Sequence, residues 1–116
     1  MVIDDERAIL TVVKRILSSE HDVFAFDNAA AALEVLSGGA RFDVILCDLM
    51  MPNMSGMDLH GELGRVASSE QRRMVFMTGG TFTVRTRAFV ESVGNRILEK
   101  PIGGLVLREI VRAHAR

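Results

Sequence analysis

Phe42-Asp43-Val44-Ile45-Leu46-Cys47-Asp48-Leu49-Met50-Met51-Pro52 is an apolar run that ends abruptly in a lone carboxylate and then stops at a proline. Val44, Ile45, Leu46 and Cys47 are consecutive apolar residues, two of them β-branched, the pattern of a strand buried on both faces of a parallel sheet. Open α/β sheets place their chemistry at the carboxyl edge of the strands. Asp48 stands at that exit and is the first candidate functional residue. Taken alone, such an acid is ordinarily a loop-start or cap residue, so its meaning depends on the other strand ends.

Upstream, residues 1–4 read as a short strand with Asp4, Asp5 and Glu6 at its exit. Ile9, Val12, Val13, Ile16 and Leu17 recur at helical spacing and predict a helix over residues 6–19. Val23-Phe24-Ala25-Phe26 is a second short strand. Asn28 suits the N-cap of an alanine-rich helix over residues 29–36, which Gly38-Gly39 stops. Downstream, Ser55 is placed to cap a third helix that uses Met57, Leu59, Leu63 and Val66 and ends near Ala67-Ser68-Ser69. Residues 74–77 form a fourth buried strand leading into Thr78-Gly79-Gly80. A weaker helical stripe follows in Phe82, Phe89, Val90 and Val93, then a fifth strand at Arg96-Ile97-Leu98 and the turn Glu99-Lys100-Pro101. Leu107, Ile110, Val111 and His114 mark a last helix. Five strands alternating with five helices over such short connections imply right-handed crossovers and a parallel sheet covered on both faces. The expected architecture is a doubly wound three-layer α/β sandwich in one domain, residues 1–116.

Bulk properties exclude several classes. A chain of 116 residues with 48% hydrophobic and 25% charged residues has the composition of one ordinary globular domain. Fourteen basic against fifteen acidic residues give a net charge of −1, which offers no general attraction to nucleic acid or anionic lipid. No apolar run approaches the roughly 20 residues that span a bilayer. Cys47 is the single cysteine, so no internal disulfide forms, and a cytoplasmic setting is expected. The first strand is unusually short, which suggests a cut from a longer chain.

Four strand ends carry a residue able to bind an ion or a phosphate: Asp4 and Asp5, Asp48, Thr78, and Lys100. In a parallel sheet these ends lie on one edge and converge. Carboxylates packed together repel unless a cation sits among them. Mg²⁺ takes one or two carboxylates and leaves positions for water and phosphate oxygens. Lys100 supplies a point charge, Thr78 a hydroxyl donor, and a carboxylate is a competent nucleophile toward phosphorus. Each part has a plain reading too: the acid pair as a helix N-terminus, Gly79-Gly80 as a tight turn, and Lys100-Pro101 as a loop. His21, His60 and His114 lack metal-ligand spacing, the seven Met residues read as filler, and Cys47 reads as an inert thiol.

Val2-Ile3-Asp4-Asp5-Glu6, Asp48-Leu49-Met50-Met51-Pro52-Asn53-Met54-Ser55-Gly56, Met77-Thr78-Gly79 and Lys100-Pro101 together resemble the receiver domains of two-component response regulators, over nearly the whole chain. That resemblance implies a flavodoxin-like strand order of 2-1-3-4-5 and a phosphorylation site at Asp48. It implies Mg²⁺ held by Asp5, Asp48 and the backbone carbonyl of Met50, with Asp4 acting through water. Thr78 and Lys100 contact the phosphoryl group, and the bond before Pro101 is cis. The phosphoryl donor is a histidine kinase or histidine phosphotransfer domain, in a transfer that the receiver partly catalyses itself, and slow autodephosphorylation then removes the group. Neither direct nucleic-acid nor direct membrane binding is implied, the downstream target is unspecified, and homodimerisation stays open. One position departs from the family: Ile97 stands where the family carries an aromatic switch residue. The stretch Phe76-Met77-Thr78-Gly79-Gly80-Thr81-Phe82 with Leu98-Glu99-Lys100-Pro101 also looks like the receivers at the C-terminal side of hybrid sensor histidine kinases.

Two rival readings come from other classes. A pseudo-receiver would keep the fold as a protein-interaction module without phosphorylation, and only Ile97 encourages it. A small Mg²⁺-dependent phosphohydrolase with an aspartyl nucleophile would need a second Asp two residues on, where the chain has Met50.

Overall fold

The computed structural model describes residues 1–80 and 82–115. Thr81, part of the stretch compared with hybrid kinases, and Arg116, at the end of the expected domain, lie outside the described residues. The elements run β1 (Val2–Ile3), α1 (Arg7–Leu17), β2 (Ala25–Phe26), α2 (Ala29–Ser37), β3 (Ile45–Asp48), α3 (Gly56–Val66), α4 (Ser68–Gln71), β4 (Met74–Thr78), α5 (Val84–Ser92), β5 (Ile97–Glu99) and α6 (Gly104–His114). The five strands are parallel in the order β2-β1-β3-β4-β5, as expected.

Alternation along the strands separates two cores. Ile3, Ile45, Cys47, Met74 and Phe76 point to one side, where Ala32 and Leu36 of α2, Leu59 and Leu63 of α3, and Phe89 and Val90 of α5 meet them. Val2, Leu46, Val75, Met77 and Leu98 point to the other, against Val13 and Leu17 of α1 and Leu107, Ile110 and Val111 of α6. Every residue of β3 and β4 is buried. At about 1.5–3 kcal/mol for each large apolar side chain removed from water, these two strands are the rigid centre from which Asp48 and Thr78 emerge.

Helix starts follow cap chemistry. The Asn28 side chain accepts the Ala31 N–H at 2.8 Å. At α3 a full capping box forms, with Ser55 Oγ accepting the Asp58 N–H and Asp58 Oδ2 accepting the Ser55 N–H. Thr83 caps α5 by accepting the Thr86 N–H.

Among the described residues six helices are present rather than the five expected. The extra one, α4, is a polar turn held by tertiary bonds that no apolar period announces: Glu70 is buried, and its Oε2 accepts the Phe42 N–H at 3.0 Å. Gln71 donates to the His60 carbonyl at 2.9 Å. β1 and β2 are shorter than their apolar runs, although main-chain pairing continues past them, with the Asp4 N–H bonding the Phe26 carbonyl at 3.1 Å. Val66, expected on the apolar stripe of α3, is exposed instead. No helix among the described residues is long and apolar enough to cross a membrane.

Candidate functional site

The carboxyl edge of the sheet gathers the acids. Asp4 follows β1 and is fully buried, Asp5 is exposed, and Asp48, the last residue of β3, is only 6% exposed. One carboxylate oxygen from each of the three lies within 4.8 Å of the others. Lys100 reaches them from the end of β5. Its Nζ lies 2.8 Å from Asp4 Oδ2, 3.4 Å from Asp48 Oδ2 and 3.9 Å from Glu6 Oε1.

Main-chain pairing sets these positions. Asp48 pairs with Met77 and Thr78 with Glu99, so Thr78 sits one step beyond Asp48 on the neighbouring strand. The Lys100 N–H bonds the Thr78 carbonyl at 2.8 Å, which ties the start of the Lys100 turn to β4. Thr78 is itself buried, and its Oγ1 accepts the Gly80 N–H at 3.2 Å. The Lys100–Pro101 peptide bond is cis. Ile97 pairs with Phe76 and packs against the α2/α3/α5 core, presenting no ring.

Burial raises the Asp48 pKa to about 6, and Asp4 pushes the same way; Lys100 and the backbone N–H of Met50 favour the charged form and offset part of the rise. For Lys100, burial acts downward, but the Asp4 and Asp48 carboxylates outweigh it and raise its pKa. The ammonium therefore stays charged. Burial also pushes the Cys47 thiol up, so it remains an inert thiol beside the site.

The donor set fits a hard divalent cation. Asp4 Oδ2 is buried, and among the described residues it faces Lys100 alone, as an ion pair at 2.8 Å. Three carboxylates around one ammonium leave a local excess of negative charge, and every ligand they offer is an oxygen, as Mg²⁺ requires.

The loop from Asp48 to α3 is folded tightly back on the sheet. The Leu49 N–H bonds the Met77 carbonyl at 2.9 Å and the Gly56 N–H bonds the Leu49 carbonyl at 3.0 Å. Asn53 adopts a left-handed φ of 68°, a conformation that Asn tolerates better than most residues. Gly56 has a different reason to be glycine: a Cβ there would collide with the carbonyl oxygen of Asp48.

The model of the response regulator receiver domain matches residues 1–112. This chain belongs to that family. Among its relatives, a two-component response regulator of Oryza sativa subsp. indica is 32% identical, over 88% of this chain and 79% of that protein. The transcriptional regulatory protein SpaR of Bacillus subtilis is 29% identical, over all of this chain and 51% of its own length. Solved receiver domains from Clostridium thermocellum and, CheY-like, from Methanospirillum hungatei JF-1 each superpose with a TM-score of 0.82 at 23% identity. They cover 97% of this chain and 90% and 88% of those chains, and they show the same fold.

The receiver's structure thus brings Asp4, Asp5, Asp48 and Lys100 into one cluster, with Thr78 and Met50 at the same edge. Sequence reasoning missed two neighbours. Glu6 reaches Lys100 from an exposed position, a contact readable only as a third acid in a row. Gly56 acts through a backbone approach that leaves no trace in hydropathy. A cavity of about 600 Å³ lies at the amino edge, lined by Phe24, Phe42 and Val44 among others, far from these groups.

Proposed function

We propose that this receiver takes a phosphoryl group from a phosphohistidine onto Asp48 in a Mg²⁺-dependent reaction and passes the signal on by a change in conformation. The convergence of Asp48 with Asp4, Asp5 and Lys100 is the observation that carries this reading. A carboxylate oxygen of Asp48 attacks phosphorus in line. As the P–O bond forms, the P–N bond to the donor imidazole breaks, and the imidazole nitrogen keeps the electron pair. With a pKa of about 6, Asp48 is mostly ionised at neutral pH and ready as the nucleophile.

Lys100 lies 3.4 Å from Asp48 Oδ2, close enough to pair with a phosphoryl oxygen there. The Thr78 hydroxyl, fixed at the end of β4, is the donor for a second oxygen. Asp5, Asp48 and the Met50 carbonyl would hold Mg²⁺, with Asp4 behind a water, and the ion supplies neutralisation of phosphoryl charge when bound. The partner is a histidine kinase or histidine phosphotransfer domain in the cytoplasm, and slow hydrolysis of the acyl phosphate resets the domain.

Incubation with a phosphohistidine-bearing donor domain tests this. Label should pass to the wild type in the presence of Mg²⁺ and not to Asp48→Asn. Ile97 favours a second reading, a pseudo-receiver that binds partners without phosphorylation, and failure of all transfer in a folded wild type would select it.

A further inference from the structure

Met50 stands two residues after Asp48 and faces two ways. Its backbone N–H lies close enough to the Asp48 carboxylate to favour the charged form. Its thioether sulfur, at the other end, accepts a hydrogen bond from Thr86 Oγ1 on α5 at 3.4 Å. Thr86 is fully buried, so its hydroxyl has no route to water and must be satisfied inside the protein.

The first turn of α5 closes a short chain of hydroxyls. The Thr86 N–H donates to Thr83 Oγ1 at 3.2 Å, and the two hydroxyl oxygens lie 3.0 Å apart. With the Thr86 proton committed to Met50 Sδ, the Thr83 hydroxyl donates to Thr86 Oγ1, and each group is used once. The N-cap of α5 is therefore linked to Met50, two residues after Asp48. A second, exposed strut runs alongside: Arg85 Nη2 donates to Asp58 Oδ1 at 3.0 Å, while the other Asp58 oxygen holds the α3 cap.

The two ends of α5 are held differently. Phe89, partly buried, packs edge-on against Phe76 and His60, with ring centroids 5.2 and 5.3 Å apart. Val84 at the first turn is 90% exposed. Thr86 is the one fully buried residue of α5, so the Met50–Thr86 bond is the buried fastening of a first turn whose other residues are exposed. Ile97 has no ring whose rotation could carry the signal by another route.

We propose that Met50 and Thr86 couple the state of Asp48 to the first turn of α5. The inference rests on the acceptor role proposed for Asp48. A phosphoryl group adds charge and three acceptor oxygens beside the Met50 N–H. The Met50 main chain follows those oxygens, the sulfur leaves Thr86, and the Thr86 hydroxyl turns to Thr83 Oγ1, which then has to serve two donors and loosens the cap of α5.

Hydrogen exchange of residues 83–89, with and without Mg²⁺ and beryllofluoride, tests the coupling, with acetyl phosphate labelling run in parallel. Exchange in the wild type should rise severalfold on adding beryllofluoride. In Thr86→Val the first turn should exchange fast throughout, with no further rise, and Thr86→Ser should restore the response. Labelling of Thr86→Val should stay within twofold of wild type. Met50→Leu, which keeps the bulk and lacks the sulfur acceptor, provides the same readout if Thr86→Val is unstable. A wild-type-sized exchange response in Thr86→Val or Met50→Leu overturns the coupling while the acceptor role stands. A wild type that takes label but shows no exchange change at α5 overturns it equally. A wild type that takes no label removes the acceptor role and the coupling together.

Discussion

The ammonium nitrogen of Lys100 lies 2.8 Å from Oδ2 of Asp4, closer than its 3.4 Å approach to Oδ2 of Asp48. Its nearer partner is thus a fully buried carboxylate with no other donor at that oxygen among the described residues. Lys100→Ala should leave that charge unpaired and cost on the order of 2 kcal/mol of stability. Urea unfolding measures it, and an unchanged midpoint would show that Asp4 is satisfied by something else. The same variant should weaken the conformational response to beryllofluoride.

Stability should depend on pH through Asp48. Its carboxyl holds a proton up to about pH 6 in the folded protein, against an ordinary carboxyl value of 3.8. Between those values the folded state binds the extra proton, so this group's contribution to stability is present near pH 4 and lost as pH rises through 6. Asn carries no such proton. In the absence of Mg²⁺, Asp48→Asn should therefore gain on the wild type across this window, by on the order of 2 kcal/mol. Parallel pH profiles of the two proteins would contradict the burial argument.

Gly56→Ala should destabilise the fold, because the new Cβ meets the Asp48 carbonyl and the Leu49 Cα at the start of α3. Backbone cannot yield as a side-chain tip can, and a cost of about 1–3 kcal/mol follows. Thermal unfolding measures it. Gly61→Ala on the same helix, where a Cβ meets nothing within 4 Å, should be neutral or stabilising, and comparable losses at both sites would refute the steric explanation.

How much of this was legible in the sequence depends on which force shapes each part. Strands β3 and β4 are buried runs, and hydropathy shows them directly; the edge strand β2 is partly exposed, so its ends were misjudged. The convergence of Asp48, Asp4, Asp5, Lys100 and Thr78 on one edge was readable because a parallel sheet converts strand ends into neighbours. The α4 turn was not, since its hold on the fold is Glu70 reaching Phe42 across the chain. Thr83 and Thr86 were missed for the same reason: a thioether acceptor 36 residues away has no local signature.

Mg²⁺ affinity should depend on Asp5 more than stability does. Asp5 is exposed, so Asp5→Asn should change stability by no more than about 0.5 kcal/mol. If Asp5 is a direct ligand as proposed, Asp5→Asn should nevertheless weaken Mg²⁺ binding tenfold or more in a calorimetric titration. Equal affinity in wild type and variant would take Asp5 out of the ligand set.

The acceptor role of Asp48 is tested most directly by intact-mass spectrometry after incubation with acetyl phosphate and Mg²⁺. The wild type should gain the mass of a single phosphoryl group, in an acid-stable, base-labile form mapped to the peptide carrying Asp48, and Asp48→Asn should gain none. A folded Asp48→Asn protein that takes up the same mass at the same rate would contradict the account.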